Sequence, residues 1–278
     1  MIEDCQLNAH NFAVMAQRQP ARYGALRFDP NDTCNLHCVY CHNTRSTWSV
    51  DLEALRDFLA VKVLGVDYFQ VGCVMEPTLD KRLAEIIELI GGSPARPGHT
   101  FILQTNGLLL HRHDHARMAA AGLTNLSVSL DVADADLQRV LRGGMSIAKL
   151  LRNVAGFRAA VPQIAIEFIA VMTSANVAQA EQLAALAIDA GAQRLIFREL
   201  LYYPESTIVE HARMAALLLM PGEFEAMTAR LRERYEGRID MVFAPNTELH
   251  DSVIRMIENS NRKVHELSPT LHRAPSSR

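Results

Sequence analysis

Three of the chain's cysteines lie in one short segment. Cys34, Cys38 and Cys41 follow the spacing C-x3-C-x2-C within residues 32–42. Three thiolates this close together can hold three irons of a [4Fe–4S] cluster and leave the fourth iron without a protein ligand. A cluster used only for structure or electron transfer is normally closed by a fourth cysteine, and none follows nearby. The spacing therefore predicts a cluster whose open iron takes part in chemistry.

The same cysteines allow a zinc site as an alternative. Structural zinc takes four protein ligands, and His37, His42 or Cys73 could supply the fourth. Disulfides are not expected, because five is an odd number of cysteines and residues 1–4 carry acidic charge where an export signal would be basic. The cysteine pattern favours reduced thiols that are kept for a metal.

The composition is that of a globular protein with one sizeable core. The chain has 278 residues, of which 49% are hydrophobic and 21% charged, and its formal net charge is −3. The absence of a basic excess argues against a nucleic-acid partner. The longest apolar run, residues 164–172, carries Glu167 in its middle and is too short to cross a bilayer. We therefore expect a cytoplasmic protein without a membrane partner.

Strand-like apolar runs alternate with helical patterns, which is typical of βαβ units and a parallel sheet. The predicted strands are residues 25–28, 68–71, 101–104, 126–130, 163–172 and 194–198. The predicted helices are residues 51–63, 80–90, 115–121, 146–160 and 176–190, the first of them capped by Asp51. The sequence thus predicts an α/β fold.

The pattern changes after residue 200, where a helix at 222–236 and a strand at 239–243 are predicted before a polar tail. The domain prediction is an N-terminal extension over residues 1–24, a core over 25–200 and a C-terminal extension over 201–278. We expect the C-terminal extension to complete the substrate side of the core.

The cysteine segment, with Tyr40 just before the third cysteine, resembles the C-x3-C-x-aromatic-C signature of the radical SAM superfamily. Glu-Pro at 76–77, Thr-Asn-Gly at 105–107 and Ser-Val-Ser-Leu-Asp at 127–131 resemble landmarks of that family in the same order. The resemblance covers about residues 25–200 and is strongest to the branch of molybdenum-cofactor enzymes and peptide maturases. It implies a partial (β/α)6 TIM-type barrel, with the site at the C-terminal strand ends. No second cysteine cluster is present, so no auxiliary-cluster domain is expected.

The resemblance also implies a cofactor and its contacts. S-adenosylmethionine would bind the open iron through its amino and carboxylate groups. Its adenine is assigned to Tyr40, the backbone near His42, and Asn176; its ammonium group to Gly72 and Glu76; its carboxylate to Ser129 and Arg139. The chain departs from the family at Val74 and Met75, where two glycines usually precede the glutamate.

Five polar groups lie on or just after the third and fourth predicted strands, namely Thr105, Asn106, Ser127, Ser129 and Asp131. The strand period of two puts the last three on one face, toward cofactor or substrate. Cys73 is the candidate catalytic residue, as a donor of a hydrogen atom to a substrate radical; its structural alternative is a small apolar filler. Three other assignments also have structural alternatives: Tyr40 as a packed loop aromatic, Arg139 as a solvated helix charge and Asn176 as a helix N-cap.

These features predict a radical SAM enzyme that forms a 5′-deoxyadenosyl radical and acts on a small molecule or peptide in a biosynthetic pathway. A one-electron donor such as flavodoxin or ferredoxin is the implied partner. One alternative is a glycyl-radical-enzyme activase, although such proteins usually carry Asp-Leu-Lys where residues 129–131 read Ser-Leu-Asp. The other is a non-catalytic metal-binding scaffold on the same barrel, which the altered glycine segment allows.

Overall fold

A computed structural model describes residues 3–93, 100–203 and 206–246. In this part of the chain strands and helices alternate. The strands are β1 (Glu3–Leu7), β2 (Ala21–Phe28), β3 (Val63–Val71), β4 (Thr100–Thr105), β5 (Asn125–Ser129), β6 (Ala165–Met172), β7 (Arg194–Glu199) and β8 (Asp240–Ala244). The helices are α1 (Phe12–Met15), α2 (Leu52–Val61), α3 (Leu83–Gly91), α4 (His115–Ala120), α5 (Ala135–Leu141), α6 (Ile147–Ala160), α7 (Ala180–Asp189), α8 (His211–Leu217) and α9 (Glu223–Tyr235).

The strands follow one another across the sheet in chain order. The pairings from β1 to β5 and between β7 and β8 are parallel. The register places Leu26 beside Phe69 and Val71 beside Leu103, so buried apolar side chains meet across neighbouring strands. The six predicted strands correspond to β2–β7, which confirms the predicted α/β fold.

Several elements begin or end differently from the prediction. β1 and α1 lie inside the predicted N-terminal extension, and β1 adds a parallel strand beside β2. The helix predicted over residues 51–63 ends at Val61, because Val63 already starts β3. No bounds were predicted for α5 or α8, although the alternative role of Arg139 as a helix charge implied a helix around that residue; both helices are only seven residues long. β8 confirms the predicted strand at 239–243, shifted by one residue.

An aspartate side chain caps the start of α2, α4 and α5. The Asp51 carboxylate accepts the N–H of Ala54 at 2.9 Å, which confirms the predicted N-cap of α2. α3 starts at Leu83 rather than at residue 80, because residues Pro77–Leu79 form a 3-10 turn first. The Asp80 carboxylate then accepts the N–H of Arg82 at 2.9 Å.

By its contacts the chain forms two compact units. The first unit comprises Met1–Asn35, Thr44–Ser129 and Ala148–Glu167, and the second comprises Leu36–Asn43, Leu130–Ile147 and Phe168–Arg278. The cysteine segment therefore contributes Cys34 to the first unit and Cys38 and Cys41 to the second. The predicted domain boundaries after residues 24 and 200 stay predictions, and the predicted polar tail lies outside the described residues. None of the described helices is long and apolar enough to cross a membrane.

Candidate cofactor site at the cysteine loop

The three cysteines lie in a loop without helix or strand between residues 33 and 46. All five cysteines of the chain are thiols rather than disulfides, and all are partly buried. The Cys41 N–H donates to the Cys38 carbonyl at 3.0 Å, which closes a tight turn. The Asn43 side-chain amide lies 3.9 Å from the Cys41 sulfur, within reach of the weak N–H···S bond that tunes cluster thiolates.

The described residues contain no preformed site for a single metal ion. In the part of the chain that the structure describes, no three His, Cys, Asp or Glu side chains gather where one metal ion could bind them all. Three thiols on one irregular loop are the type and number of ligands that a cubane with one open iron takes, because each thiolate binds a different iron.

The start of the cysteine loop is anchored within the first unit. The Thr33 carbonyl accepts the N–H of Glu76 at 2.9 Å. On the other side of Cys34, the Asn35 side-chain oxygen accepts the Asn106 amide at 2.8 Å. The residues that flank the first cysteine are therefore held by the segments that follow β3 and β4.

Glu76 is the centre of this first anchor. Its carboxylate is almost fully buried and accepts the Thr105 hydroxyl at 2.6 Å, the Asn106 N–H at 2.7 Å, the Thr78 N–H at 3.0 Å and the Thr78 hydroxyl. Burial raises the pKa of Glu76, and the hydrogen bonds from Thr105, Thr78 and Asn106 lower it without cancelling that effect. The predicted ammonium contact would have to share a carboxylate that already accepts four hydrogen bonds.

Asp29, which the sequence did not single out, holds the segment before Glu76. Its buried carboxylate accepts the backbone N–H groups of Cys73 at 2.8 Å, Val74 at 3.1 Å and Met75 at 3.1 Å. Burial raises the pKa of Asp29, while these backbone N–H groups lower it without cancelling the effect. The bulkier Val74 and Met75 thus follow a fixed path where the family usually has glycines.

The backbone conformation and the close packing at position 72 require a glycine. Its φ is +82°, and an added Cβ would lie 2.2 Å from the Gln104 carbonyl oxygen. The Gln104 side-chain amide in turn points to the Cys73 carbonyl at 3.4 Å. The Cys73 thiol is partly buried beside this fixed backbone, and the geometry leaves both of its predicted roles open.

The end of the cysteine loop is anchored within the second unit by Asp131. The Tyr40 hydroxyl donates to one carboxylate oxygen of Asp131, and Arg142 binds both oxygens at 2.7 Å each. The Val171 N–H adds a fourth hydrogen bond at 2.9 Å. Burial raises the pKa of Tyr40 well above its ordinary value, so its hydroxyl stays protonated and remains a donor.

The Tyr40 ring lies in an apolar cluster, as its structural alternative predicts. Its neighbours there are Val132, Leu141, Leu200, Met214, Leu217 and Leu218. The Arg142 guanidinium carbon lies 5.7 Å from the centre of the ring, which adds a cation–π contact. The tyrosine therefore packs into the second unit with both its ring and its hydroxyl.

Asn176 is fully buried and uses all of its hydrogen-bonding groups. Its amide donates to the carbonyls of Asp131 at 3.0 Å and Val171 at 2.9 Å, and its oxygen accepts the Thr173 N–H at 2.7 Å and hydroxyl at 3.0 Å. It does not cap the 3-10 turn that follows it. The side chain holds the backbone after β5 and β6, a role that neither sequence interpretation included.

The remaining predicted residues lie in different environments. Arg139 is exposed on α5 and pairs with Asp136 at 2.6 Å, which is the solvated helix charge of the alternative. Arg142, three residues later, is 11% exposed and pairs with the buried Asp131 instead. Ser127 and Ser129 are both buried on β5, as polar groups that face a site would be.

His42, next to the third cysteine, contacts the segment after β7. Its ring centre lies 4.4 Å from that of Tyr203. The neighbouring Tyr202 hydroxyl lies 2.8 Å from the His211 ring nitrogen. Residues of the predicted C-terminal extension therefore lie directly against the end of the cysteine loop, within the second unit.

Fold and site together define an α/β protein with a three-thiol loop and buried polar anchors after its strands. The family model of the radical SAM superfamily matches residues 29–187, more than half of the chain. The chain therefore belongs to the radical SAM superfamily.

Two curated relatives are similar over part of their length. GTP 3′,8-cyclase of Erythrobacter litoralis (strain HTCC2594) is 30% identical over 161 residues, which cover 54% of this chain and 46% of that protein. Mycofactocin maturase MftC of Mycobacterium ulcerans (strain Agy99) is 30% identical over 173 residues, which cover 59% of this chain and 44% of that protein. The chain spans less than half the length of these relatives.

Solved structures share the fold at low sequence identity. Streptococcus suis SuiB bound to S-adenosylmethionine has a TM-score of 0.61 at 16% identity, over 80% of this chain and 50% of that one. The structure of anSMEcpe with bound AdoMet and Cp18Cys peptide has a TM-score of 0.59 at 18% identity, over 78% of this chain and 62% of that one. This likeness shows the fold alone, and it confirms the predicted partial TIM-type class.

Proposed function

We propose that this protein is a radical SAM enzyme in which Cys34, Cys38 and Cys41 hold a [4Fe–4S] cluster whose open iron binds S-adenosylmethionine. When both cofactors are bound, the chemistry they would supply is reductive cleavage of S-adenosylmethionine. The products would be methionine and a 5′-deoxyadenosyl radical, which would take a hydrogen atom from the substrate. The observation that carries the proposal is the three-thiol loop, anchored before its first cysteine by Thr33 and after its second by Tyr40.

The side chains divide into two groups by what they already bind. Glu76, Asp131 and Asn176 have their acceptors or donors taken up by the protein, and we assign them to holding backbone in place. Thr105 and Asn106 belong with Glu76 in the same network. We assign contact with the cofactor to other groups, namely the backbone near His42 and the buried hydroxyls of Ser127 and Ser129. The Gly72 N–H donates to the Phe28 carbonyl and the Gly72 carbonyl accepts the Gln70 side-chain amide, both at 2.8 Å, so Gly72 joins the groups that hold backbone in place.

We further propose a peptide or small-molecule substrate from a biosynthetic pathway. One relative is named a GTP cyclase and another a mycofactocin maturase, and SuiB has been crystallised with its precursor peptide SuiA. The net charge of −3 gives no basic surplus that would suit a nucleic acid. A one-electron donor such as flavodoxin or ferredoxin is the partner that the proposed reductive step requires.

Anaerobic reconstitution with iron and sulfide tests the proposal. We expect about four irons per chain, a paramagnetic signal after dithionite reduction, and release of methionine and 5′-deoxyadenosine once S-adenosylmethionine is added to the reduced protein. Serine substitution of Cys34, Cys38 or Cys41 should abolish the signal, while Cys5→Ser, on β1, should keep it. A single bound zinc and no cleavage would instead support the non-catalytic scaffold.

The activase alternative has its own signature. An activase transfers the radical to a glycine of a second protein, which leaves a long-lived glycyl-radical signal in that partner. Product formation on a peptide or small molecule without any such signal separates the proposed function from it. Cys73→Ala adds a test of the hydrogen-atom donor role: cofactor cleavage should persist while the final quenching of the substrate radical is lost.

A further inference from the structure

We infer that Tyr40, Asp131 and Arg142 form a clamp that fixes the Cys38–Cys41 end of the loop before any cofactor binds. This inference rests on the proposed function for its purpose, since the clamp would present two cluster ligands. Its geometry stands independently of that purpose, because every contact in it is made between protein groups.

Asp131 has no acceptor site left for a ligand. A carboxylate offers about four lone-pair positions on its two oxygens. All four are taken: two by Arg142, one by the Tyr40 hydroxyl and one by the Val171 N–H. The side chain of Asp131 is 0% exposed and that of Arg142 is 11% exposed, so water does not compete strongly for these bonds. Asp131 is therefore a positioning residue rather than a cofactor ligand.

The clamp acts directly on the loop. Tyr40 stands between Cys38 and Cys41 in the sequence, so fixing its hydroxyl fixes the turn that carries both thiols. The Val39 N–H donates to the Leu141 carbonyl at 2.9 Å, which is a second attachment of the same turn.

A third attachment comes from close backbone packing. Gly143 approaches the backbone of His37 so closely that an added Cβ would lie 2.3 Å from the His37 carbonyl oxygen. Leu141, Arg142 and Gly143 are consecutive at the end of α5, and each meets a different residue of the loop. The short helix α5 therefore serves as the support on which this end of the cysteine loop is built.

The test measures thiol reactivity in metal-free, reduced protein. Wild type, Tyr40→Phe and Arg142→Lys are treated with iodoacetamide, and the alkylation rate of each cysteine is followed by mass spectrometry. Tyr40→Phe removes only the hydroxyl, and Arg142→Lys keeps the charge but not the two-pronged bond. Loss of one buried hydrogen bond to a charged group corresponds to about a tenfold change in local opening. We expect Cys38 and Cys41 to react about tenfold faster in Tyr40→Phe, with Cys5 and Cys73 unchanged.

Arg139→Lys is the matched control, because Arg139 lies on the same helix but pairs with Asp136 at the surface. It should leave all the rates unchanged. A uniform increase at all five cysteines in Tyr40→Phe would indicate global destabilisation, and unchanged rates would indicate no clamp; either result overturns the inference. The alkylation measurement is made on protein without a cluster. The clamp can therefore be disproved while reconstitution of wild type supports the proposed function, and the clamp can be supported while reconstitution fails.

Discussion

The Glu76 carboxylate accepts the Thr105 hydroxyl at 2.6 Å, which ties the segment after β3 to the last residue of β4. The same carboxylate also accepts the backbone N–H of Asn106. Asn106 and Glu76 in turn hold the residues on either side of Cys34. One buried acid thus positions the residues beside the first cysteine of the loop, and we expect its removal to disturb the position of Cys34.

Glu76→Gln should destabilise the metal-free protein. The glutamine amide places an N–H₂ group where a carboxylate oxygen accepts donors, so at least one buried donor loses its partner. We expect the free energy of unfolding to fall by about 2 kcal/mol, measured by anaerobic urea denaturation. Glu85→Gln, an exposed glutamate on α3, should change it by less than about 0.5 kcal/mol. Equal effects of the two substitutions would contradict the anchoring role.

Acidification should reveal the raised pKa of Glu76. The folded protein holds this proton more tightly than the unfolded chain, so the contribution of Glu76 to the free energy of unfolding grows as pH falls through the raised pKa. Glu76→Gln cannot titrate at this position. The stability difference in favour of wild type should therefore increase as the pH falls through this raised pKa. Urea midpoints at several pH values check the sign; a difference that shrinks on acidification would sink the prediction.

Asp29→Ala should loosen the segment before Glu76. The substitution leaves the N–H groups of Cys73, Val74 and Met75 without their common acceptor. We expect hydrogen exchange in a peptide spanning residues 73–75 to accelerate by at least about tenfold. Asp67→Ala is the control, because Asp67 makes only an exposed ion pair with Arg22. Unchanged exchange in Asp29→Ala would show that the segment is held by other contacts.

Gly143→Ala and Gly144→Ala should separate backbone strain from loop contact. Both glycines have positive φ, +58° at Gly143 and +100° at Gly144, and only Gly143 has the His37 backbone in the path of a Cβ. Strain alone would make Gly144→Ala the costlier change, because its φ lies farther from the left-handed well near +57°. We expect the opposite order in urea midpoints, with Gly143→Ala also impairing iron loading. A lower midpoint in Gly144→Ala would mean that the contact with His37 contributes little.

Asn176→Asp tests whether this side chain is structural. A carboxylate cannot donate to the carbonyls of Asp131 and Val171, and it brings a charge into a fully buried position. We expect a loss of about 3 kcal/mol or more in the free energy of unfolding of the metal-free protein. If Asn176→Asp is as stable as wild type but binds S-adenosylmethionine more weakly after reconstitution, Asn176 is a cofactor contact and not a structural residue.

Local patterns were enough to predict most of the fold. The six strands β2–β7 and the Asp51 cap follow from apolar runs and from a short polar residue before a helical repeat, and both signals are contained in a few neighbouring residues. α5 escaped prediction because seven residues give barely two turns of helical periodicity. β1 escaped because Glu3–Leu7 mixes acidic and polar residues in a strand with a single fully buried apolar side chain, Leu7.

The order of the amino acids is enough to give the cysteine spacing and the polar groups at the strand ends, and hence the family. Which of those groups bind one another depends on contacts that form only in the folded chain. Arg139 and Arg142 are indistinguishable as letters, yet one is solvated and the other is buried on Asp131, because the end of α5 turns only the second toward Tyr40. The role of Asp29 likewise depends on the folded chain, because the three N–H groups that it accepts lie more than forty residues away along the sequence. Spacing along a chain records which side chains are available, whereas desolvation and long-range contact determine what each one does.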